Sequence, residues 1–108
     1  MCQHLTKFAR RLRPTRPRSL GCQECLEHGS SWVHLRLCLT CGHVGCCDSS
    51  PSRHATRHFH ETEHPVVRSF EPGERWAWCY LDEKVVEAFP TFPEEQPPEH
   101  YAPPDTAG

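Results

Sequence analysis

The spacing of cysteine and histidine constrains this chain more than any other feature. Cys22-x2-Cys25 is followed by Cys38-x2-Cys41, then by Cys46, then by His54, His58 and His64 within one short stretch. Each Cys-x2-Cys turn aims two thiolates at one point. His54 and His58 fall one helical turn apart on a common face. Sulfur and nitrogen donors at such spacings are the ligands of tetrahedral zinc. Cys2, His4, Cys79 and Asp82 are further donors, and Cys47 adjoins a candidate ligand.

Size makes a metal more than an ornament. The chain has 108 residues, of which 36% are hydrophobic, and its mean hydropathy is −0.69. A single domain of this size is marginal on core burial and needs a cross-link. Eight Cys and nine His can supply one. Disulfides are the competing use of the thiols. The first residues, Met1-Cys2-Gln3-His4, lack the apolar core of a signal peptide. No run reaches the ~18 apolar residues of a membrane span. The expectation is therefore a cytoplasmic protein with reduced thiols and no membrane partner, in which zinc prevails over disulfides.

The formal net charge of −2 speaks against a strong general nucleic-acid binder. Charge is nevertheless uneven. Lys7, Arg10, Arg11, Arg13, Arg16 and Arg18 form a basic segment, and Glu94, Glu95, Glu99 and Asp105 an acidic one. The plain reading is a solvated basic loop and a solvated acidic tail.

Along the chain, residues 1–9 carry Cys2 and His4, and residues 10–21 read as an Arg/Pro loop ending at Gly21. Ser31 to Leu37 alternates Val33, Leu35 and Leu37 with Trp32, His34 and Arg36, a strand with one apolar face. Ser49-Ser50-Pro51 predicts a helix start, with the helix running to about Glu63 before Pro65. Val66 to Phe70 and Arg75 to Leu81 predict two strands joined by a turn at Glu71-Pro72-Gly73-Glu74. Lys84 to Phe89 predicts a short last element. Pro90, Pro93, Pro97, Pro98, Pro103 and Pro104 then mark 90–108 as a disordered Pro-rich acidic tail, leaving 1–89 as the folded domain.

The ordered string Cys22-x2-Cys25, Trp32, Cys38-x2-Cys41-Gly42-His43-x2-Cys46, His54-x3-His58, His64-Pro65 resembles the UBP-type zinc finger, named after the ubiquitin-specific proteases that carry it. The likeness spans residues 2 to about 86. It implies an α+β fold: a small twisted antiparallel sheet with one or two helices, held by one to three interleaved zincs. Ten Arg against two Lys, with many Pro and Ala, suit a free-standing bacterial member.

The resemblance also implies a ligand pairing. Cys22, Cys25, Cys46 and His54 would share one ion, and Cys38, Cys41, His58 and His64 a second. Cys2, His4, Cys79 and Asp82 would hold a third, Asp82 standing where some members have Cys. Spacing alone allows another arrangement of the first eight donors: a ribbon of Cys22, Cys25, Cys38 and Cys41, with Cys46, His54, His58 and His64 on the other ion. Two zincs follow from either pairing, with room for a third. Cys47 reads as a small buried residue, His43 and His34 as packing or surface residues, and His60 as solvated. His28 and His100 carry no signal.

Better-known members of the resembling family take the free C-terminal Gly-Gly tail of ubiquitin in an aromatic-walled pocket. Trp32 corresponds to the Trp after the first knuckle. Trp78 and Tyr80 flank Cys79 as the family's late-strand aromatics do, and Trp76 shares their face. The plain alternative is that three Trp fill the core. Trp76, Trp78 and Tyr80 alternate with Ala77, Cys79 and Leu81, however, so an inward Cys79 turns the aromatics outward. One departure stands out. Ubiquitin binders of the family have Cys-Gly-Arg, with the Arg on the peptide carboxylate, where this chain has Cys46-Cys47-Asp48. A carboxylate there repels a terminal carboxylate. Arg53, Arg57 and Arg75 are the candidate replacements.

Three function classes compete. The leading one is a structural-zinc module that binds a peptide or protein partner, in which ubiquitin is a poor fit because of Asp48. The second is a nucleic-acid adaptor using Arg10 to Arg18 and bases stacked on the aromatics. The third is an enzyme. His60-Glu61-Thr62-Glu63-His64 matches the zinc-protease pattern in its letters, but His60 reads as solvated and His64 as a ligand beside cysteines; no deaminase-type His-x-Glu with Pro-Cys-x-x-Cys is present. Cys47 with a His is the sole nucleophile candidate. The expectation is that the chain is not an enzyme.

Overall fold

A computed structural model describes residues 2–97. The elements run α1 (Gln3–Ala9), α2 (Gln23–His28), β1 (Leu35–Cys38), β2 (Val44–Cys46), α3 (His54–Thr62), β3 (Val66–Ser69), β4 (Ala77–Cys79), β5 (Lys84–Val86) and a 3-10 turn, Pro93–Glu95. The strands form one antiparallel sheet in the order β2-β1-β3-β4-β5. The fold is α+β, as expected, with three helices rather than one or two among the described residues.

Register sorts the sheet into two faces. Leu37 pairs with Arg68 and Arg68 with Ala77, while Val66 pairs with Cys79. These residues and Leu35 lie on the core side, fully buried with Leu5, Phe70 and Phe89. Arg36 pairs with Ser69 and Val67 with Trp78, and this row takes the opposite side. The helix α1 packs Leu5 into the core beside β3 and β4.

The sequence explains several element ends. The Cys22 sulfur accepts the Cys25 amide at 3.4 Å and caps α2, which Gly29 closes in the left-handed region at φ 70°. Thus the first knuckle is itself a helix start. The strand β1 begins only at Leu35; upstream the alternation slips, so Trp32 is buried and Val33 exposed. The predicted helix start also moves. Ser50 is engaged elsewhere, its hydroxyl accepting the Val33 amide at 2.8 Å, and α3 begins at His54 behind Arg53 at φ 48°. Gly45 is required where α3 lies on β2, since a Cβ there would sit 2.7 Å from the Ala55 nitrogen.

The reading of a tail from Pro90 gives way over 90–97. Glu95 is fully buried. Its carboxylate accepts from the Arg11 Nε at 3.1 Å, from the Thr15 amide at 2.8 Å and from the Phe92 amide at 3.1 Å, with an ion pair to the Arg11 Nη2. Its carbonyl accepts from the Arg68 guanidinium at 2.7 Å. Composition argued for disorder, but a buried glutamate held by Arg11 at its carboxylate and by Arg68 at its carbonyl fixes the segment. The rest of the expected tail, 98–108, and with it His100, lies outside the described residues.

Candidate metal centres and aromatic groove

Three clusters of donors form in the described residues, each with its ligand atoms within 4.8 Å of one another: Cys22, Cys25, Cys46 and His54; Cys38, Cys41, His58 and His64; and Cys2, His4, Cys79 and Asp82. The interleaved pairing is the one realised. Its cause is the β1–β2 hairpin. Cys38 and Cys41 sit at the hairpin tip, whereas Cys46, paired with Leu35, sits at its base. The helix α3 runs alongside β2, so His54 meets the base. His58, about 6 Å further along the axis, meets the tip. Sharing a helix face sent the two histidines to different clusters.

The first cluster is buried throughout. His54 Nδ1 lies 3.2, 3.4 and 3.5 Å from the Cys22, Cys25 and Cys46 sulfurs, and the Cys25 and Cys46 sulfurs are 4.0 Å apart. A tetrahedral zinc with ordinary bond lengths needs edges of roughly 3.6 Å for sulfur–nitrogen and 3.8 Å for sulfur–sulfur. The donor set fits zinc in both chemistry and size. In the second cluster Cys41 is 3.3 Å from His58 Nε2 and Cys38 is 3.6 Å from His64 Nδ1. In the third, the His4 Nδ1 is 2.9 Å from Asp82, and the Cys79 sulfur 3.6 Å from His4 and 3.8 Å from Asp82.

Crowded donors perturb one another. A hydrogen bond from the Cys22 thiol draws Cys46 down to about 5, and the same contact with Cys46, reinforced by burial, holds Cys22 far above the thiol range. Burial pushes Cys38 up to about 11 and also raises Cys25 and Cys79. His58 falls to about 4 through burial and the nearby His43 and His64. Asp82 is held low by its hydrogen bonds to Cys2 and His4. Protons are displaced by a metal at such sites.

His43 proves a supporting residue. It is buried, stacks on His58 with ring centres 4.0 Å apart, and meets the Glu24 carboxylate at 2.7 Å. Cys47 is buried with its sulfur 3.8 Å from the Ser50 hydroxyl. His28, His34 and His60 are exposed.

On the other face of the sheet, Trp76, Trp78 and Tyr80 line a groove of about 260 Å³ together with Arg36, Val67, Cys47, Asp48 and Ser49. Ala77 and Cys79 point into the core, so β4 turns its aromatics outward as the alternation predicts. Trp32 does not join them: it is 4% exposed within the core cluster, its ring against Gly21. Among Arg53, Arg57 and Arg75, none lines the groove. Arg36 does, with its guanidinium 4.4 Å from the Trp76 ring centre. The period-2 pattern had placed Arg36 on the outward face. Its nearness to Trp76, two strands away, follows only from strand order.

The family model described as the Zn-finger in ubiquitin-hydrolases and other protein matches residues 22–90. The chain is 34% identical over 71 residues to an NAD-dependent deacetylase of Dictyostelium discoideum, covering 66% of this chain and 12% of that protein. It is 36% identical over 70 residues to a ubiquitin carboxyl-terminal hydrolase of Ailuropoda melanoleuca, covering 65% of this chain and 9% of that protein. It is 46% identical over 58 residues to the BRCA1-associated protein of Homo sapiens, covering 54% of this chain and 9% of that protein. The chain thus spans about a tenth of the length of these relatives. A Rhodopseudomonas palustris protein solved in solution by NMR is similar over nearly the whole length, at 46% identity and TM-score 0.75, covering 98% of this chain and 96% of that one. With its Cys/His clusters and its five-stranded sheet, this chain belongs to the UBP-type zinc finger family.

Proposed function

We propose that the protein is a structural-zinc module that binds a protein partner by a free C-terminal peptide tail laid in the aromatic groove. The observation that carries this reading is the groove itself: three outward aromatics, Trp78 on β4 with Trp76 and Tyr80 flanking it, and the Arg36 guanidinium over Trp76. Aromatic walls hold peptide backbone and apolar side chains, and a guanidinium takes a carboxylate by paired hydrogen bonds. We assign the tail carboxylate to Arg36, in place of the Arg that the resembling binders carry where this chain has Asp48. Ubiquitin itself is a poor fit, because Asp48 stands at that position.

The three clusters are read as zinc sites with four protein ligands each: Cys22, Cys25, Cys46 and His54; Cys38, Cys41, His58 and His64; Cys2, His4, Cys79 and Asp82. Four protein ligands leave no open position for a reactive water. We therefore read the module as non-catalytic and keep the activities of the longer deacetylase and hydrolase relatives for those proteins. Cytoplasmic residence is supported by eight free cysteines, seven of which are gathered in donor clusters rather than bonded to one another. No helix of the described residues is long and apolar enough to cross a membrane. The nucleic-acid alternative is the weaker, because no Arg of the 10–18 segment lines the aromatic groove.

The test is a titration with short peptides ending in Gly-Gly, as free carboxylates and as amides. Binding should need the free carboxylate and disappear in Trp78→Ala. Equal binding of acid and amide, or of neither, rules out the tail-reading groove.

A further inference from the structure

The third donor cluster differs from the other two in access. In the first, all four residues are buried. The second is roofed by the chain: the Arg18 amide donates to the Gly42 carbonyl and the Thr15 hydroxyl to the Leu39 carbonyl, both at 2.8 Å, and His43 stacks on His58. In the third, the His4 and Asp82 side chains are 37% and 40% exposed. Cys2 is half-buried and borders a cavity of about 520 Å³ that Lys84, Val85 and Val86 complete. A water molecule takes about 30 Å³, so the cavity admits a small oxidant to Cys2.

The two thiols of this cluster are also placed to react with each other. The Cys2 and Cys79 sulfurs lie within 4.8 Å, and a disulfide needs them at about 2 Å. Cys79 is fixed, fully buried on β4. Cys2 stands just ahead of α1, with extended backbone and no cap hydrogen bond from its side chain, so it is the partner that can close the distance. Cys47, by contrast, is buried against the Ser50 hydroxyl and belongs to none of the clusters.

We infer that Cys2 and Cys79 form an oxidation site: a peroxide converts the pair to a disulfide, so the cluster holds either a metal ion or a covalent cross-link. The inference rests on the reading of this cluster as a zinc site. The Cys2 thiolate attacks one oxygen of hydrogen peroxide. The O–O bond breaks, and the hydroxide that leaves takes a proton to become water. The Cys79 thiolate then attacks the sulfur of the Cys2 sulfenic acid. The S–S bond forms as the S–O bond breaks, and a second hydroxide leaves as water. Two thiolates, one peroxide and two protons give one disulfide and two waters. His4 and Asp82 remain as donors, two where structural zinc takes four, and the ion is released. The disulfide ties the start of α1 to β4 as the ion did, so the fold outlasts the loss.

The experiment treats the zinc-loaded full chain with hydrogen peroxide. Released zinc is followed with a coloured chelator, the mass of the intact chain is measured, and cross-linked peptides are mapped without reduction. One zinc per chain should leave roughly tenfold faster than the other two, because peroxide reaches exposed thiolates first. The chain should lose the mass of two hydrogens, the map should join Cys2 to Cys79, and the near-UV signal should persist. Excess thiol with added zinc should restore the starting state. Cys2→Ser should remove the fast phase, and Cys47→Ser should leave it unchanged. The map of the unaltered chain decides the matter even if Cys2→Ser fails to fold. A first disulfide within Cys38 and Cys41, or within Cys22 and Cys25, overturns the inference. So does Cys2 oxidised beyond the sulfenic acid with Cys79 still free, or release of all three zincs together. In those outcomes a starting count of three zincs leaves the zinc reading standing. A count of two before any peroxide is added overturns both.

Discussion

Glu95 shows how much one residue can hold. Its carboxylate receives Arg11, Thr15, Phe92 and Thr91, and its carbonyl receives Arg68. Burial lowers Arg68 to about 10, so that guanidinium depends on its neighbours to stay buried and charged. Glu95→Ala strands Arg11 and opens the segment over β3. Removing one partner of a buried pair costs about 3–5 kcal/mol. We expect a large drop in melting temperature for Glu95→Ala and a smaller one for Glu95→Gln, which keeps acceptors but not charge. Thermal melts at fixed zinc check this, and an alanine variant that melts with the parent would refute it. Truncation after Phe89 should act in the same direction.

At the scale of elements, α3 is the part most compromised by function. It is flanked by Arg53 at φ 48° and Glu63 at φ 60°, both in the left-handed region that favours Gly or Asn. Glu63 also sets a negative charge at the negative end of the helix. The geometry is held because His54 must meet one cluster, His58 a second and His64, just past the helix, that same second cluster. Glu63→Asn relieves both penalties without touching a donor. We expect about 1 kcal/mol of stabilisation, or a melting rise of about 4–8 °C. An unchanged or lowered melting point would show that the Glu63 side chain does something else.

At the scale of the molecule, the clusters tie together what the core cannot. The first joins α2, β2 and α3, the second joins the hairpin tip to α3 and His64, and the third joins the start of α1 to β4. Metal-binding energy in such a domain is folding energy. Excess chelator should abolish the near-UV signal of Trp32, Trp76 and Trp78. A signal retained after full zinc removal would contradict this. Native mass spectrometry of the loaded protein should count three zincs. The third should leave first under limiting chelator, because exposed Asp82 would be its ligand and carboxylate is the less common structural donor. A fully loaded count of two would remove the third site.

Metal chemistry, the residues that gather into the three clusters, the strand alternation of β4 and the α+β class were all written in the sequence. Each rests on local rules: a Cys-x2-Cys turn, a four-residue helical step, a two-residue strand step. Spacing alone left open which four donors gather; the resemblance implied the interleaved pairing, and the structure gives its cause, because hairpin register sends Cys46 away from Cys38 and Cys41. The tertiary structure alone moved Trp32 into the core, brought Arg36 to Trp76, and fixed 90–97 through Glu95. Those outcomes depend on partners far apart in the chain, and neither composition nor period carries that information.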